Sequence, residues 1–226
     1  QLLCAQTGAV LRVAPIDRRG VVDFDAYLQL LGPRTRIVAL AHVSNALGTV
    51  LPLADFLRAA RERGIATVVD GAQAVPHLAV DVQALASDFY AFSAHKMYGP
   101  TGIGVLHARA AVLETMPPWQ GGGDMILTVS FSGSTWNHLP HRFEAGTPNI
   151  GGAVGLGAAV DYLGRVGLDL SQPRDVHGQG RDPDHLEQQQ LREGGRGRTG
   201  AHLARRRPDA LPRVWPWPAP HAHHRG

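Results

Sequence analysis

Lys96 is the only lysine in a chain of 226 residues that contains 22 Lys and Arg together. Arginine is the cation everywhere else, and on a solvated surface its permanent charge is sufficient. A lysine amine can lose its proton and attack a carbonyl carbon, which an arginine cannot do. The single lysine therefore indicates Schiff-base chemistry, most commonly with pyridoxal 5'-phosphate (PLP). A GC-rich genome that leaves one lysine by chance explains the count equally well.

Asp70 is the first residue that could assist such a lysine. It follows the apolar residues Val68 and Val69 and is followed at once by Gly71. A buried carboxylate at this position would keep a pyridine nitrogen protonated, so that the ring could accept electrons from a substrate carbanion. Capping of the next helix is the alternative role for this Asp. Gln73, a little further along, could reach the phenolic oxygen of the same ring.

Ser93 and His95 lie just before Lys96 and could hold the phosphate of the cofactor. A packed core histidine is the alternative for His95. Asn45 lies in a polar loop after a predicted strand and is a candidate for contact with the substrate or the ring. Asparagine is also common in turns for backbone reasons alone.

Short β-branched runs alternate with amphipathic helical patterns up to about residue 167, which predicts an α/β domain with a largely parallel sheet flanked by helices. Strands are predicted at residues 10–13, 36–40, 66–69, 88–93 and 104–107, and helices at residues 23–31, 53–63 and 110–116. The strand at 66–69 delivers Asp70 to its carboxyl end, where ligands bind in open α/β sheets.

The chain divides into two parts of different composition. Residues 1–168 carry the periodic pattern, whereas residues 169–226 are rich in Arg, Pro, Gly and His and poor in aliphatic residues. Such a tail cannot bury enough apolar surface to offset its chain entropy, so disorder is predicted. The abrupt change suggests a frameshift near residue 170. Weak polyanion binding through this basic tail is the non-enzymatic alternative, without specific recognition of nucleic acid.

The composition and the start of the sequence predict the cellular compartment of the protein. No run of eighteen apolar residues occurs, and the start of the chain lacks a secretion signal, which predicts no association with a membrane. Cys4 is the only cysteine, so an internal disulfide and a thiolate zinc cluster are excluded. We expect a cytoplasmic protein without a metal site.

Six segments, taken together and in order, closely resemble motifs of the class V aminotransferase family, specifically the cysteine desulfurases of the SufS type. The resemblance covers residues 1–168 and rests on residues 42–45, 69–73, 93–96, 99–104, 120–123 and 142–148, which read HVSN, VDGAQ, SAHK, GPTGIG, QGGG and RFEAGTP.

The resemblance implies the large domain of a fold type I PLP-dependent transferase. Lys96 would form the Schiff base, Asp70 would contact the pyridine nitrogen and Gln73 the phenolic oxygen. Ser93 and His95 would hold the phosphate and Asn45 would lie beside the cofactor and substrate. Thr147 would reach the phosphate of a neighbouring subunit, which implies a homodimer.

The family reaction takes sulfur from L-cysteine, leaves L-alanine and passes a persulfide to an acceptor protein for iron–sulfur cluster assembly. The resemblance also implies truncation at both ends, because an upstream segment with a ring-stacking histidine and a C-terminal domain with the nucleophilic cysteine are expected. We therefore expect inactive or impaired turnover. Another class V activity, a selenocysteine lyase or an epimerase, would share Lys96 and Asp70.

Overall fold

The computed structural model describes residues 1–168. The predictions for residues 169–226, a disordered tail and its origin in a frameshift, lie outside the described residues. Residues 1–13 carry a single short helix, α1 (Leu2–Thr7), which ends at Gly8 in the left-handed conformation with φ of 73°. The strands and the other helices lie between residues 14 and 168.

These elements alternate as the sequence predicts for an α/β domain. The strands are β1 (Ile37–Ala41), β2 (Ala66–Asp70), β3 (Phe89–Ser93), β4 (Gly104–Ala108), β5 (Ile126–Ser130) and β6 (Gly133–Trp136). The α-helices are α2 (Phe24–Leu30), α3 (Leu53–Arg61), α4 (Val82–Leu85), α5 (Ala110–Leu113) and α6 (Ile150–Val166), and short 3-10 turns span Ala94–Lys96 and His141–Phe143.

Strands β1 to β4 form one sheet in chain order. The β1–β2 and β2–β3 pairs are parallel, and β4 is antiparallel to β3. Strands β5 and β6 form a separate antiparallel pair. The predicted α/β class with a mostly parallel sheet is confirmed.

Helix α3 covers one face of the sheet. Its buried side chains belong to Leu53, Phe56, Leu57, Ala59 and Ala60. They form one apolar cluster with residues from three adjacent strands, Val38, Val69 and Tyr90. Tyr27 of α2 joins this cluster, and its hydroxyl donates to the carbonyl oxygen of Phe56 at 2.8 Å. The cluster fixes β1, β2 and β3 relative to one another, which is what positions the ends of those strands.

The predicted strand at residues 10–13 is wrong. These residues form no strand, and Val10 and Val13 are each 75% exposed. A β-branched run becomes a strand only when another strand pairs with it, and residues 10–13 have no such partner within residues 1–168. The helix predicted at 53–63 is present but ends earlier, at Arg61, with Glu62 as its C-cap.

Helix α6 packs against the turn that follows β3. Its N-cap residue Asn149 accepts the N–H of Gly152 at 2.9 Å and donates its side-chain amide to the carbonyl oxygen of Gly102 at 3.2 Å. A side chain at Gly155 would meet the ring of Pro100 at 3.0 Å, so glycine permits this close approach.

Candidate functional site

The parallel strands β1, β2 and β3 end at the same edge of the sheet, at Ala41, Asp70 and Ser93. Asp70 pairs with Ala91 of β3, so these two residues lie on the same face. Ser93 follows Ala91 by two positions and shares that face, because side chains alternate along a strand. The structure therefore places two of the predicted site residues, Asp70 and Ser93, on one face at one edge.

Lys96 lies in the 3-10 turn directly after β3. Ala94 and Met97 are buried and anchor this turn, whereas His95 and Lys96 between them are exposed. The carbonyl oxygen of Ala94 accepts the N–H groups of Met97 and of Gly99, both at 2.9 Å. The two buried anchors therefore direct the intervening side chains, including the lysine amine, away from the core.

The turn after Lys96 carries backbone strain. Tyr98 has φ of 64°, a left-handed conformation that is rare for a bulky side chain. Its ring contacts Tyr162 of α6 edge to face, with 5.7 Å between the ring centroids. Helix α6 thus supports the strained segment from the outside, which keeps the turn that bears Lys96 in a defined place.

The prediction of a buried carboxylate at position 70 is wrong, since Asp70 is exposed. It is the last residue of β2, where the chain turns to the surface. Its Oδ1 accepts the N–H of Ala72 at 2.9 Å, a local turn contact of the kind that the capping alternative describes. Within residues 1–168, Oδ2 has no hydrogen bond and remains available to a ligand.

Asn45 and Gln73 follow the neighbouring strands at the same edge. Asn45 is exposed in the turn of a small loop that is closed by a bridge between Val43 and Val50. Gln73 is half-buried in the turn after β2, whose first carbonyl, that of Gly71, accepts the N–H groups of two later residues in the turn. Both residues therefore belong to loops that leave the carboxyl edge.

Thr147 is exposed in the turn before α6. That turn reaches Gly102 through Asn149, and no hydrogen bond within residues 1–168 joins Thr147 to the other predicted site residues. The two glycine-rich turns meet each other, because the N–H of Gly146 donates to the carbonyl oxygen of Gly123 at 2.9 Å. The structure brings six of the seven predicted residues to one sheet edge and leaves Thr147 on a separate turn.

The predicted site residues share one further property. Apart from Asp70, their side chains make no hydrogen bond or ion pair with other residues of the described range; these are Asn45, Gln73, Ser93, His95, Lys96 and Thr147. The five that lie at the carboxyl edge of the sheet, which are all but Thr147, are therefore available to bind a ligand.

Sequence reasoning missed the contact between Tyr90 and His42. Tyr90 of β3 is 1% exposed, and its hydroxyl lies 2.9 Å from Nδ1 of His42, just beyond β1. Its ring also fills the space beside Gly71, where an added Cβ would lie 2.0 Å from the tyrosine Cε1. The glycine directly after Asp70 was a signal for such a close approach.

Burial and charge keep this pair neutral. Burial, together with the charge of Asp70, raises the pKa of Tyr90 to about 12. Burial lowers the pKa of His42. At neutral pH the tyrosine therefore remains protonated and the imidazole remains uncharged, which suits donation by the Tyr90 hydroxyl to Nδ1 of His42.

A cavity of about 410 Å³ lies elsewhere in the domain. Residues just before β1 and β2, including Arg36 and Arg63, line it. It therefore opens at the amino edge of the sheet, opposite the predicted site, and the chemistry of residues 93–96 does not involve it. No group of three His, Cys, Asp or Glu side chains suited to a metal occurs within residues 1–168. None of the helices in that range is long and apolar enough to cross a membrane.

The sequence motifs and the sheet geometry agree with one known family. Residues 1–191 match the family described as aminotransferase class-V. The chain belongs to this family. Proteins of the class V aminotransferase family depend on PLP.

Individual members of the class V family are also similar to this chain. A cysteine desulfurase of Cronobacter sakazakii is 56% identical over 170 residues, which are 75% of this chain and 42% of that protein. The crystal structure of the cysteine desulfurase CsdA from Escherichia coli is similar with a TM-score of 0.71 and 45% identity, over 74% of this chain and 42% of that one. A C-DES variant with glycine covalently linked to the PLP cofactor has a TM-score of 0.66 and 30% identity, over 74% of this chain and 45% of that one. The chain thus spans less than half the length of these relatives.

Proposed function

We propose that this chain binds PLP through Lys96 and carries the cofactor-holding part of a cysteine desulfurase of the SufS type. Such an enzyme takes sulfur from L-cysteine, leaves L-alanine and passes the sulfur as a persulfide to an acceptor for iron–sulfur cluster assembly. The observation that carries the proposal is the position of Lys96, the only lysine, on an anchored turn at the carboxyl edge that also bears Asp70. Relatives named cysteine desulfurase support the choice of reaction.

The described residues fit PLP. Lys96 supplies an exposed amine without a competing partner in residues 1–168, and Asp70 offers Oδ2 for the N–H of the pyridine ring. Ser93 and His95 lie on either side of the buried Ala94 and would hold the phosphate. When bound, PLP supplies a ring that accepts electrons from the carbon atom next to the substrate amine.

Two further side chains complete the proposed site. Gln73 would donate to the phenolic oxygen of the cofactor, and Asn45 would orient the substrate beside the ring. Lys96 would also have a second role: once the substrate amine has replaced it on the cofactor, its freed Nζ would act as the general base that takes the proton from the α-carbon of cysteine. Both roles need a lysine whose backbone is fixed and whose amine is free to react. Backbone hydrogen bonds fix the turn at 94–97, and within residues 1–168 the amine of Lys96 has no hydrogen-bond partner.

Sulfur transfer also needs a thiol that accepts the sulfur atom. Cys4 is the only cysteine among the 226 residues, and it lies in α1. We therefore propose that the chain binds PLP but releases little sulfide or alanine by itself. Its place of action would be the cytoplasm.

Thr147 supports a further part of the proposal, a homodimer. Within residues 1–168, no hydrogen bond joins its exposed turn to the other site residues, which suits a role toward the phosphate of a neighbouring subunit. The SufS type is the finer assignment, and CsdA is another type represented among the similar structures.

The proposal is tested with purified chain, PLP and a Lys96→Arg control, which keeps the positive charge but cannot condense with an aldehyde. Wild-type chain should give a lysine-bound absorbance band, and the variant should not. Alanine and sulfide are then measured with cysteine as substrate, and selenocysteine is offered in parallel. Equal spectra for the two proteins would refute PLP binding at Lys96, and robust turnover of selenocysteine alone would assign a lyase instead.

A further inference from the structure

Tyr90 is a buried polar residue that the proposed chemistry does not use. It is the second residue of β3, and its ring lies at 88° to that of His42, with 6.1 Å between the centroids. The bond between its hydroxyl and His42 Nδ1 spans from β3 to the end of β1, across β2. Asp70 ends the strand that lies between them.

Backbone contacts fix Asp70 from both neighbouring strands. The carbonyl oxygen of Asp70 accepts the N–H of His42 at 2.9 Å, and the N–H of Gly71 donates to the carbonyl oxygen of Ala91 at 2.8 Å. The ring of Tyr90 then packs directly on Gly71, where it leaves no room for a side chain. The same two residues that form the hydroxyl–imidazole bond therefore hold the turn after Asp70.

We propose that Tyr90 and His42 form a positioning pair that orients the Asp70 carboxylate toward the ring nitrogen of the cofactor. This inference rests on the proposed function and deepens it. Because the pair ties the end of β1 to β3 over Gly71, it keeps Asp70 in the conformation in which Oδ1 binds the N–H of Ala72 and, within residues 1–168, Oδ2 has no hydrogen bond.

The absence of charge on Tyr90 and His42 also favours the proposed role. A charged imidazole beside the strand end would attract the carboxylate of Asp70 and compete with the pyridinium N–H for it. An uncharged His42 that accepts a hydrogen bond from Tyr90 holds the turn without this competition. The pair therefore contributes geometry but no positive charge.

The test uses the full chain loaded with PLP that is labelled with ¹⁵N in its ring, and the ¹⁵N chemical shift reports protonation of the ring nitrogen. Tyr90→Phe removes only the hydroxyl, and His42→Leu replaces the imidazole that accepts its hydrogen bond with an apolar side chain. Both variants should move the signal toward the unprotonated position and weaken PLP binding about tenfold, the effect of one lost positioning hydrogen bond. His42→Asn, whose amide oxygen takes the place of Nδ1, should restore most of the wild-type signal.

Tyr27→Phe is the matched control, because it removes another buried tyrosine hydroxyl bond from the same core without touching Gly71. It should lower stability but leave the ring-nitrogen signal unchanged. If Tyr90→Phe and His42→Leu behave like this control, the pair is only structural and the inference is refuted. If the wild-type chain shows no lysine-bound cofactor, both the proposed function and the inference are refuted. This result differs from the previous one, in which the wild type binds PLP but the variants behave like Tyr27→Phe.

Discussion

Tyr90 should make the stability of the domain depend on alkaline pH. Its pKa is raised from 10.0 to about 12 because burial and the Asp70 charge disfavour the phenolate. Only the folded state has the raised pKa, so its contribution is complete below pH 10 and is lost as the pH rises from 10 toward about 12. We expect the free energy of unfolding to fall by about 2–3 kcal/mol over this range, relative to Tyr90→Phe.

Denaturant titrations of both proteins at several pH values measure this difference. The comparison with Tyr90→Phe isolates one residue, because the other titrating groups are common to the two proteins. Parallel stability curves for wild type and variant would show that the hydroxyl of Tyr90 is not protected from ionisation by the fold.

Gly71 is the second residue with a specific steric requirement. A Cβ at this position would lie 2.0 Å from the buried ring of Tyr90, so Gly71→Ala should displace that ring and destabilise the domain by about 2–3 kcal/mol. The control is Gly157→Ala in α6, where the space is open and alanine should stabilise the helix by about 0.5–1 kcal/mol. Thermal unfolding shows whether the midpoint falls for Gly71→Ala and rises for Gly157→Ala. Equal midpoints for the two variants would contradict the packing at Gly71.

The sequence alone revealed the functional residues whose type or position is unusual. It did not reveal residues whose role depends on a contact with a distant part of the chain. Lys96 was found because it is the only lysine, and Asp70 because it ends an apolar run. The partnership of Tyr90 with His42 joins positions that lie 48 residues apart and depends on strand order and register. Asp70 was expected to be buried, since the apolar run does not reveal that the chain turns outward at its end.

Asp88 is the main polar link between elements at the amino edge of the sheet. Its Oδ2 accepts the N–H and the hydroxyl of Thr67 at 2.9 and 3.0 Å, and its Oδ1 accepts NH1 of Arg109 at 3.0 Å. The carboxylate thus joins β2, the start of β3 and the residue after β4. Its side chain is only 15% exposed, so solvent cannot replace these bonds when they are lost.

Asp88→Ala should therefore lower the free energy of unfolding by about 2–4 kcal/mol. Asp55→Ala is the matched control, because the pair of Asp55 with Arg58 is more than half exposed on both sides and should contribute about 0–1 kcal/mol. Urea denaturation measures both values. A loss at Asp88 no larger than that at Asp55 would mean that the link between the strands is dispensable.

The elements that were predicted share strong local patterns. Strands β1 to β3 are short apolar runs, and α3 has a clear apolar stripe. The hairpin of β5 and β6 was missed because nearly all its residues are exposed and show no alternation of buried and exposed positions. Helix α6 was not predicted as a unit because glycine, which disfavours helices, recurs through it; packing against the turn at residues 98–102 outweighs that preference.

The exposed apolar surface of the protein predicts self-association. Phe131 is fully exposed at the turn of the hairpin, Val129 of β5 is 71% exposed, and Trp119 is 89% exposed. Monomeric soluble proteins rarely leave large contiguous apolar patches in water. We expect sedimentation equilibrium to give a mass twice the 24.2 kDa of one chain.

Phe131→Asp should shift this equilibrium toward the monomer, because a charge would be buried in the contact. Val10→Ser removes another exposed apolar side chain, 75% exposed, from residues 1–13 and serves as the control. A wild-type protein that sediments as a monomer at all concentrations would remove the homodimer from the proposal, together with the role of Thr147.

Attachment of PLP to Lys96 is the step on which the proposed function depends. Chain incubated with PLP is reduced with borohydride, digested and analysed by mass spectrometry. Because the chain has one lysine, a pyridoxyl group on a lysine side chain can only be on Lys96. We expect one pyridoxyl group on the peptide that contains Lys96, and an unlabelled Lys96 peptide would refute PLP attachment at this residue.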